Sequence, residues 1–254
     1  MRTGWLVAVI WVLCLGPAQP GAAQTAAADG PFHDWVAVVI AGDWHAHSGG
    51  PSEVFDNARH DVSLALERAG FQPANVREFS VRPERYDDPR PEKTALPAIY
   101  DALHDLTART SGGCLFYLSS HGAPSGAVLD DRILTPGVLD DILQQTCGAR
   151  PTVVVISACF SGVYVPTLAR SNRMVLTAAR PDRTSFGCGQ EDRYPYFDDC
   201  FLQSMKAAHD FPTVGRDAQV CVARKERATG AKPPSDPQLF VGPELRPILP
   251  LLDF

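Results

Sequence analysis

Two apolar runs in this chain each end in a reactive cluster. Residues 114–119 read Cys-Leu-Phe-Tyr-Leu-Ser and run into Ser120-His121-Gly122. Residues 152–157 read Thr-Val-Val-Val-Ile-Ser and run into Ala158-Cys159-Phe160-Ser161-Gly162. A cysteine and a histidine are the minimum set for nucleophilic catalysis: the thiolate attacks, and the imidazole takes a proton and later returns it. Continuous apolar runs of this length read as strands buried on both faces, as in a parallel sheet. Sites in open α/β sheets form beyond the carboxyl ends of the strands. His121 and Cys159 are therefore expected side by side at one sheet edge. Either cluster alone would carry little, since a buried cysteine usually serves as a small hydrophobe. The conjunction behind two strands carries the inference.

The elements that must position this pair follow from periodicity. Residues 35–42 read as a buried strand ending in glycine. Ser52 to Ala69 reads as a helix, with Ser52 as N-cap, Val54, Ala58, Val62 and Ala65 in one stripe, and Gly70 as the stop. Strands are expected at 75–79, 173–178 and 238–241, and helices at 94–109, 136–145, 196–209 and 214–229. The Pro- and charge-rich stretch 82–93 reads as a loop, and 129–134 as a short hairpin or extended excursion. Strands alternating with helices predict an α/β fold with a mostly parallel central sheet of about six strands, flanked by helices.

At 254 residues one domain is the default. A net charge of −6 gives no basic footprint, so nucleic acid is not expected as a partner. Residues 1–23 read as a signal peptide: Arg2 is the positive start, Trp5 to Leu15 the apolar core, and Pro17 to Ala23 the small-residue cleavage region. An uncleaved anchor is the competing reading of this segment. Residues 24–33 read as a flexible leader, and 34–254 as the folded domain. The expected location is thus secreted or periplasmic, with no stable membrane association after cleavage.

Removal of that segment leaves six cysteines: Cys114, Cys147, Cys159, Cys188, Cys200 and Cys221. With Cys159 free, at least one other stays unpaired. Cys188 and Cys200 bracket a polar insertion that a bond between them would staple. Cys114 and Cys147 each sit near the start of one key strand and form a second candidate pair. Spacing alone does not decide connectivity, and all-reduced cysteines are the alternative. His45 and His47 form a His-x-His with no third ligand apparent. They read as loop residues, so no metal and no cofactor are expected.

The order of apolar block, His-Gly, spacer, apolar block, Ala-Cys resembles the caspase-like cysteine peptidases, and within them the legumain (asparaginyl endopeptidase) family. Further stretches are similar: Asn57-Ala58-Arg59-His60, then Thr177-Ala178-Ala179-Arg180-Pro181-Asp182-Arg183-Thr184-Ser185, Asp199, and Ser235-Asp236-Pro237-Gln238. The resemblance spans roughly residues 35–245 and implies a caspase-like three-layer sandwich. It also implies roles. Cys159 is the nucleophile and His121 the general base and acid. Asn57 supports the histidine, and the N–H groups of Gly122 and Cys159 form the oxyanion hole. Arg59, Ser185 and Asp199 line the first specificity pocket, with Arg59 facing Asp199. Ser157 departs from the pattern, because an acid usually stands two residues before the nucleophile. That leaves the pocket one carboxylate short and eases cleavage after Asp as well as Asn. The function implied is peptide-bond hydrolysis through a thioester on a peptide or protein substrate. A ligase using the same site and a silent binding protein of the same fold are the alternatives.

Overall fold

Alternation along the strands sends odd and even side chains to opposite faces, and in the central strands both faces are apolar. The sheet therefore needs a cover on each side. The structure, a computed structural model, describes Met1, residues 30–87 and residues 90–254. Apart from Met1, the expected signal segment and leader residues 24–29 lie outside the described residues.

The strands are β1 (Val36–Ala41), β2 (Val76–Ser80), β3 (Glu92–Lys93), β4 (Cys114–Ser119), β5 (Gly122–Ala123), β6 (Gly126–Leu129), β7 (Arg132–Leu134), β8 (Thr152–Ser157), β9 (Arg173–Thr177) and β10 (Gln238–Val241). The helices are α1 (Val54–Arg68), α2 (Leu96–Ala108), α3 (Pro136–Thr146), α4 (Val165–Leu168), α5 (Tyr196–Ala207) and α6 (Phe211–Thr229). Seven strands form the main sheet in the order β10-β9-β8-β4-β1-β2-β3. The expectation of about six missed β3, a two-residue edge strand inside the stretch read as loop. All neighbours run parallel except β10, which pairs antiparallel with β9.

One face of the sheet presents Ala37, Val39, Leu115, Tyr117, Val153 and Val155 to apolar residues of α1, α5 and α6. The other presents Val36, Val38, Ile40, Phe116, Leu118, Val154 and Ile156 to residues of α2, α3 and α4. The result is a three-layer sandwich. Phe32 corrects the leader boundary: it is fully buried and stacks on Phe71 at 5.1 Å. An aromatic ring that fills core space cannot belong to a flexible segment. The stretch after His121 is also more ordered than a lone hairpin, since β5, β6 and β7 form a small antiparallel sheet. The Tyr164 hydroxyl ties it to the turn after Cys159 by accepting from Ala127 N at 2.9 Å and donating to the Leu134 carbonyl.

Among the described residues two disulfides lock helices in place. Cys114 pairs with Cys147, as one of the candidate pairings anticipated. The Cys188–Cys200 staple does not form, because Cys200 on α5 faces α6 and pairs with Cys221 there, Cα to Cα 5.6 Å. Cys159 and Cys188 are free. Among the described residues no helix is long and apolar enough to cross a membrane.

The Cys200–Cys221 bond closes a segment of sequence separation 21. Chain entropy alone gives such a cross-link about 3 kcal/mol. The double variant Cys200→Ser/Cys221→Ser should therefore lose about that much in urea unfolding, with the fold retained. An unchanged midpoint would mean the bond adds nothing to stability.

Candidate active site

Parallel register levels the strand ends. Ala41 on β1 pairs with Ser119 on β4, and Ser119 pairs with Ser157 on β8. His121 and Cys159 each follow a levelled serine by two residues, so both emerge at the same height on neighbouring strands. Strand order also reverses here: β2 and β3 add on one side of β1, while β4, β8 and β9 add on the other. Such a switch point opens a crevice at the carboxyl ends.

The two motifs touch through backbone. A Cβ on Gly122 would stand 2.0 Å from the Cys159 carbonyl oxygen and 2.9 Å from Cys159 N. Only glycine allows this approach. Beyond Cys159 the chain turns sharply. Phe160 takes a left-handed conformation, φ 59°, its N–H donating to the Arg183 carbonyl at 2.7 Å, and one turn of 3-10 helix follows. A non-glycine residue held this way stores local strain of about 1–2 kcal/mol, the kind that clusters at functional sites.

His121 is held at one nitrogen. Its Nε2 lies 2.9 Å from the carbonyl oxygen of His45. A carbonyl has no proton to give, so Nε2 carries the hydrogen and the neutral ring keeps its lone pair on Nδ1. The ring also stands edge-on to Phe55, centroids 5.0 Å apart. The His45 carbonyl is itself fixed. The Asp43 carboxylate accepts from the N–H groups of Trp44 and His45, at 2.6 and 3.0 Å, and meets His45 Nδ1 at 2.7 Å. The loop after β1 thus does the work expected of Asn57. Asn57 instead donates its amide to the Arg193 carbonyl at 3.1 Å, bracing the loop after β9.

Cys159 is partly buried, and its sulfur rests on Ser185. The Ser185 N–H donates to Sγ at 3.3 Å, and Ser185 Oγ lies 3.5 Å away. His121, Cys159 and Ser185 line one cleft of about 440 Å³ with His47, Thr184, Phe186, Gly187, Cys188, Gly189 and Asp192. The wall 184–189 is anchored by backbone. His47 N donates to the Cys188 carbonyl at 2.9 Å, Tyr196 N to the Phe186 carbonyl at 2.9 Å, and Gly189 N to the Asp192 carboxylate at 2.8 Å. Burial, and then the nearby Cys159, push the Cys188 thiol far above its ordinary range, so it stays protonated.

The expected specificity pocket is corrected in part. Ser185 stands on the cleft wall as expected. Arg59 does not face Asp199. It is 1% exposed, pairs with Asp56 at 3.0 Å and with Glu78, and lies 4.9 Å beneath the Tyr86 ring. Asp199 pairs with Lys225 of α6. A buried guanidinium must find carboxylates, and those nearest it come from α1 and β2. Ser157 is buried, stands outside the cleft lining and lies beside Asp198.

Asp198 was not anticipated. It is fully buried in the first turn of α5 and accepts from Ser119 Oγ at 2.6 Å and from the Tyr117 hydroxyl. A helical signal for it was present: Asp198 shares the i, i+3, i+4, i+7 stripe of Phe201, Leu202 and Met205, all buried, whereas Asp199 falls off it. Asp43 and Asp192 also went unnoticed, and His47 and Cys188 were read only as a loop residue and as one end of a staple, because nothing in their spacing marks a cleft.

Comparison with solved structures fits this geometry. The chain superposes on caspase-1 from Spodoptera frugiperda with TM-score 0.60 at 16% identity, covering 84% of this chain and 88% of that one. The fold is caspase-like. The profile of the peptidase C13 family, the legumains, matches residues 103–219. That stretch holds His121, Gly122, Cys159 and Ser185 and ends before the last strand. Profile and fold together support a cysteine peptidase. No curated protein sequence matches the chain.

In a cysteine peptidase built this way, Gly122 cannot accept a side chain. Gly122→Ala forces the His121–Gly122 backbone off Cys159, and misplacement on the scale of 1 Å costs about a hundredfold in turnover. Far-ultraviolet circular dichroism should be unchanged while kcat/KM falls by about that factor. Full activity in this variant would contradict the close approach.

Proposed function

We propose that the protein is a secreted cysteine endopeptidase that cleaves after asparagine. The observation that carries this reading is the convergence of His121 and Cys159 on one cleft, with Gly122 packed against the Cys159 backbone. Nδ1 of His121, the free nitrogen, takes the thiol proton as Cys159 Sγ attacks the substrate carbonyl carbon. The carbonyl oxygen becomes an oxyanion beside the N–H groups of Gly122 and Cys159. The C–N bond then breaks, and His121 returns the proton to the leaving amine. Water attacks the resulting thioester with the same imidazole as base, releasing the acid and the free thiol. Throughout, the His45 carbonyl holds the Nε2–H and so supports the imidazolium that forms transiently.

The cleft supports asparagine over aspartate. Among the described residues its lining holds one carboxylate, Asp192, and no lysine or arginine. A carboxylate substrate would meet like charge without a guanidinium to offset it. The asparagine amide donates to a carboxylate and accepts from a hydroxyl such as that of Ser185. The easier cleavage after Asp expected from Ser157 assumed Arg59 in the pocket, and Arg59 is committed elsewhere. Secretion is supported by the apolar segment Trp5 to Leu15 and by two disulfides, which persist in oxidising compartments.

Incubation with a peptide library, read by mass spectrometry, reports cleavage, ligation and specificity together. Cys159→Ala should remove all turnover, and His121→Ala should lower it by roughly 10²–10⁴-fold. Turnover by Cys159→Ala, or His121→Ala within a few-fold of wild type, would remove the residue from the mechanism.

Matched peptides test the pocket separately. kcat/KM should favour Asn over Asp by about tenfold, the scale of one pairwise charge interaction at a protein surface. Preference for Asp, or for a basic residue facing Asp192, would overturn the specificity and leave the Cys/His chemistry intact.

A further inference from the structure

A fully buried carboxylate lies beneath the chemistry above. Asp198 sits under the carboxyl ends of β4 and β8, on the face covered by α5. Its oxygens accept from the Tyr117 and Ser119 hydroxyls of β4, the latter at 2.6 Å, and the buried Ser157 of β8 lies close enough to help hold its carboxyl down. Ser119 is two residues before His121, and Ser157 two before Cys159. Among the described residues no lysine, arginine or histidine forms an ion pair with it. A carboxylate kept in the core without a counter-ion is costly and is tolerated where hydroxyls saturate its lone pairs.

We propose that Asp198 is a positioning residue for the catalytic pair, its carboxylate holding the end of the His121 strand beside Ser157 at the end of the Cys159 strand. The ionised group is the form that does this. Only a carboxylate with both oxygens free of protons accepts from Tyr117 at one oxygen and from Ser119 at the other. Protonation turns one oxygen into a donor, and at least one hydroxyl must then rotate away. The tie between the strands loosens, and the sulfur and the imidazole lose their common reference.

Burial pushes the Asp198 carboxyl up to about 6, while the hydroxyls of Ser119, Tyr117 and Ser157 pull it back. The groups facing it are few. β4 contributes Tyr117, whose own hydroxyl is raised by burial and stays protonated. The cleft wall contributes the Cys188 thiol. α5 contributes Asp199, which raises Asp198 further and is itself paired with Lys225 of α6. Falling pH therefore protonates Asp198 just below neutrality, and activity declines on that side. Variants at Asp198 and Ser119 isolate this contribution to the acid side.

The inference rests on the peptidase reading for its turnover arm and stands alone in its alkylation arm. Asp198→Asn keeps the shape but cannot accept at both positions, since its amide nitrogen only donates. In this variant kcat should fall by about a hundredfold, with KM within about threefold. Alkylation of Cys159 by iodoacetamide, quantified by peptide mapping, should slow by about fivefold. Ser119→Ala removes one donor to the carboxylate, so Asp198 protonates more readily and the acid limb of kcat moves to higher pH. The alkylation profile of Cys159 should move the same way. A purely structural Asp198 would lower the melting temperature and leave the kcat of the folded fraction and both pH profiles unchanged. That result overturns the proposal, as does an acid limb that stays put in Ser119→Ala. Peptides that are never cleaved by the wild type, alongside alkylation that responds as stated, would count against the peptidase reading and in favour of the Asp198 tie.

Discussion

The parallel register of β4 on β8 is the constraint from which the site follows. Pairing Ser119 with Ser157 sets His121 and Cys159 at one height, and a slip of one residue would turn each strand's side chains over to the opposite face. Such a slip is forbidden by the core. Leu115, Tyr117, Val153 and Val155 fill one layer while Phe116, Leu118, Val154 and Ile156 fill the other, all fully buried. Burial of each large apolar side chain is worth roughly 1.5–3 kcal/mol, so the register is held by many contacts rather than by any one. The placing of His121 beside Cys159 is a by-product of packing that the sheet needs in any case.

Polar groups then refine what packing has placed. Near the sheet ends, buried ions are matched locally: Arg59 with Asp56 and Glu78, Arg173 with Asp140, and Glu226 with the Ser235 hydroxyl and N–H. The Ser235 carbonyl in turn accepts from Arg180 N at 2.9 Å, joining the loop after β9 to the approach of β10. The loop after β1 is set by Asp43, which fixes the carbonyl that orients His121. These networks cost desolvation and give rigidity in return. The Asp43 and Ser235 networks reach loops, where apolar packing no longer specifies the backbone.

How much of this was legible in the sequence depends on whether the signal was local. The bounds of β4 and β8 follow directly from their apolar runs, because a strand buried on both faces admits no polar break. Cys159, His121 and Ser185 come to one cleft, with Gly122 packed against Cys159, and each was legible because it follows a strand end or a motif. What failed was pairing across the fold. The partners of Arg59 lie on its own helix and on β2, and no spacing rule names Glu78. Cys200 chose α6 over the nearer Cys188 because helix packing, not sequence distance, brings sulfurs together. Between adjacent aspartates the motif pointed to Asp199, while helical periodicity favoured burial of Asp198. The small sheet β5–β6–β7 was underestimated because strands of two to four residues carry almost no periodic signal.

The central claim is that one thiol, Cys159, acts as nucleophile toward a peptide carbonyl with His121 beside it. The most direct measurement is a peptidyl chloromethyl ketone ending in asparagine, followed by intact-mass and peptide-mapping mass spectrometry. The account predicts one adduct per chain, located at Cys159, forming far more slowly in His121→Ala. Labelling at Cys188 in place of Cys159, or a rate indifferent to His121, would contradict it.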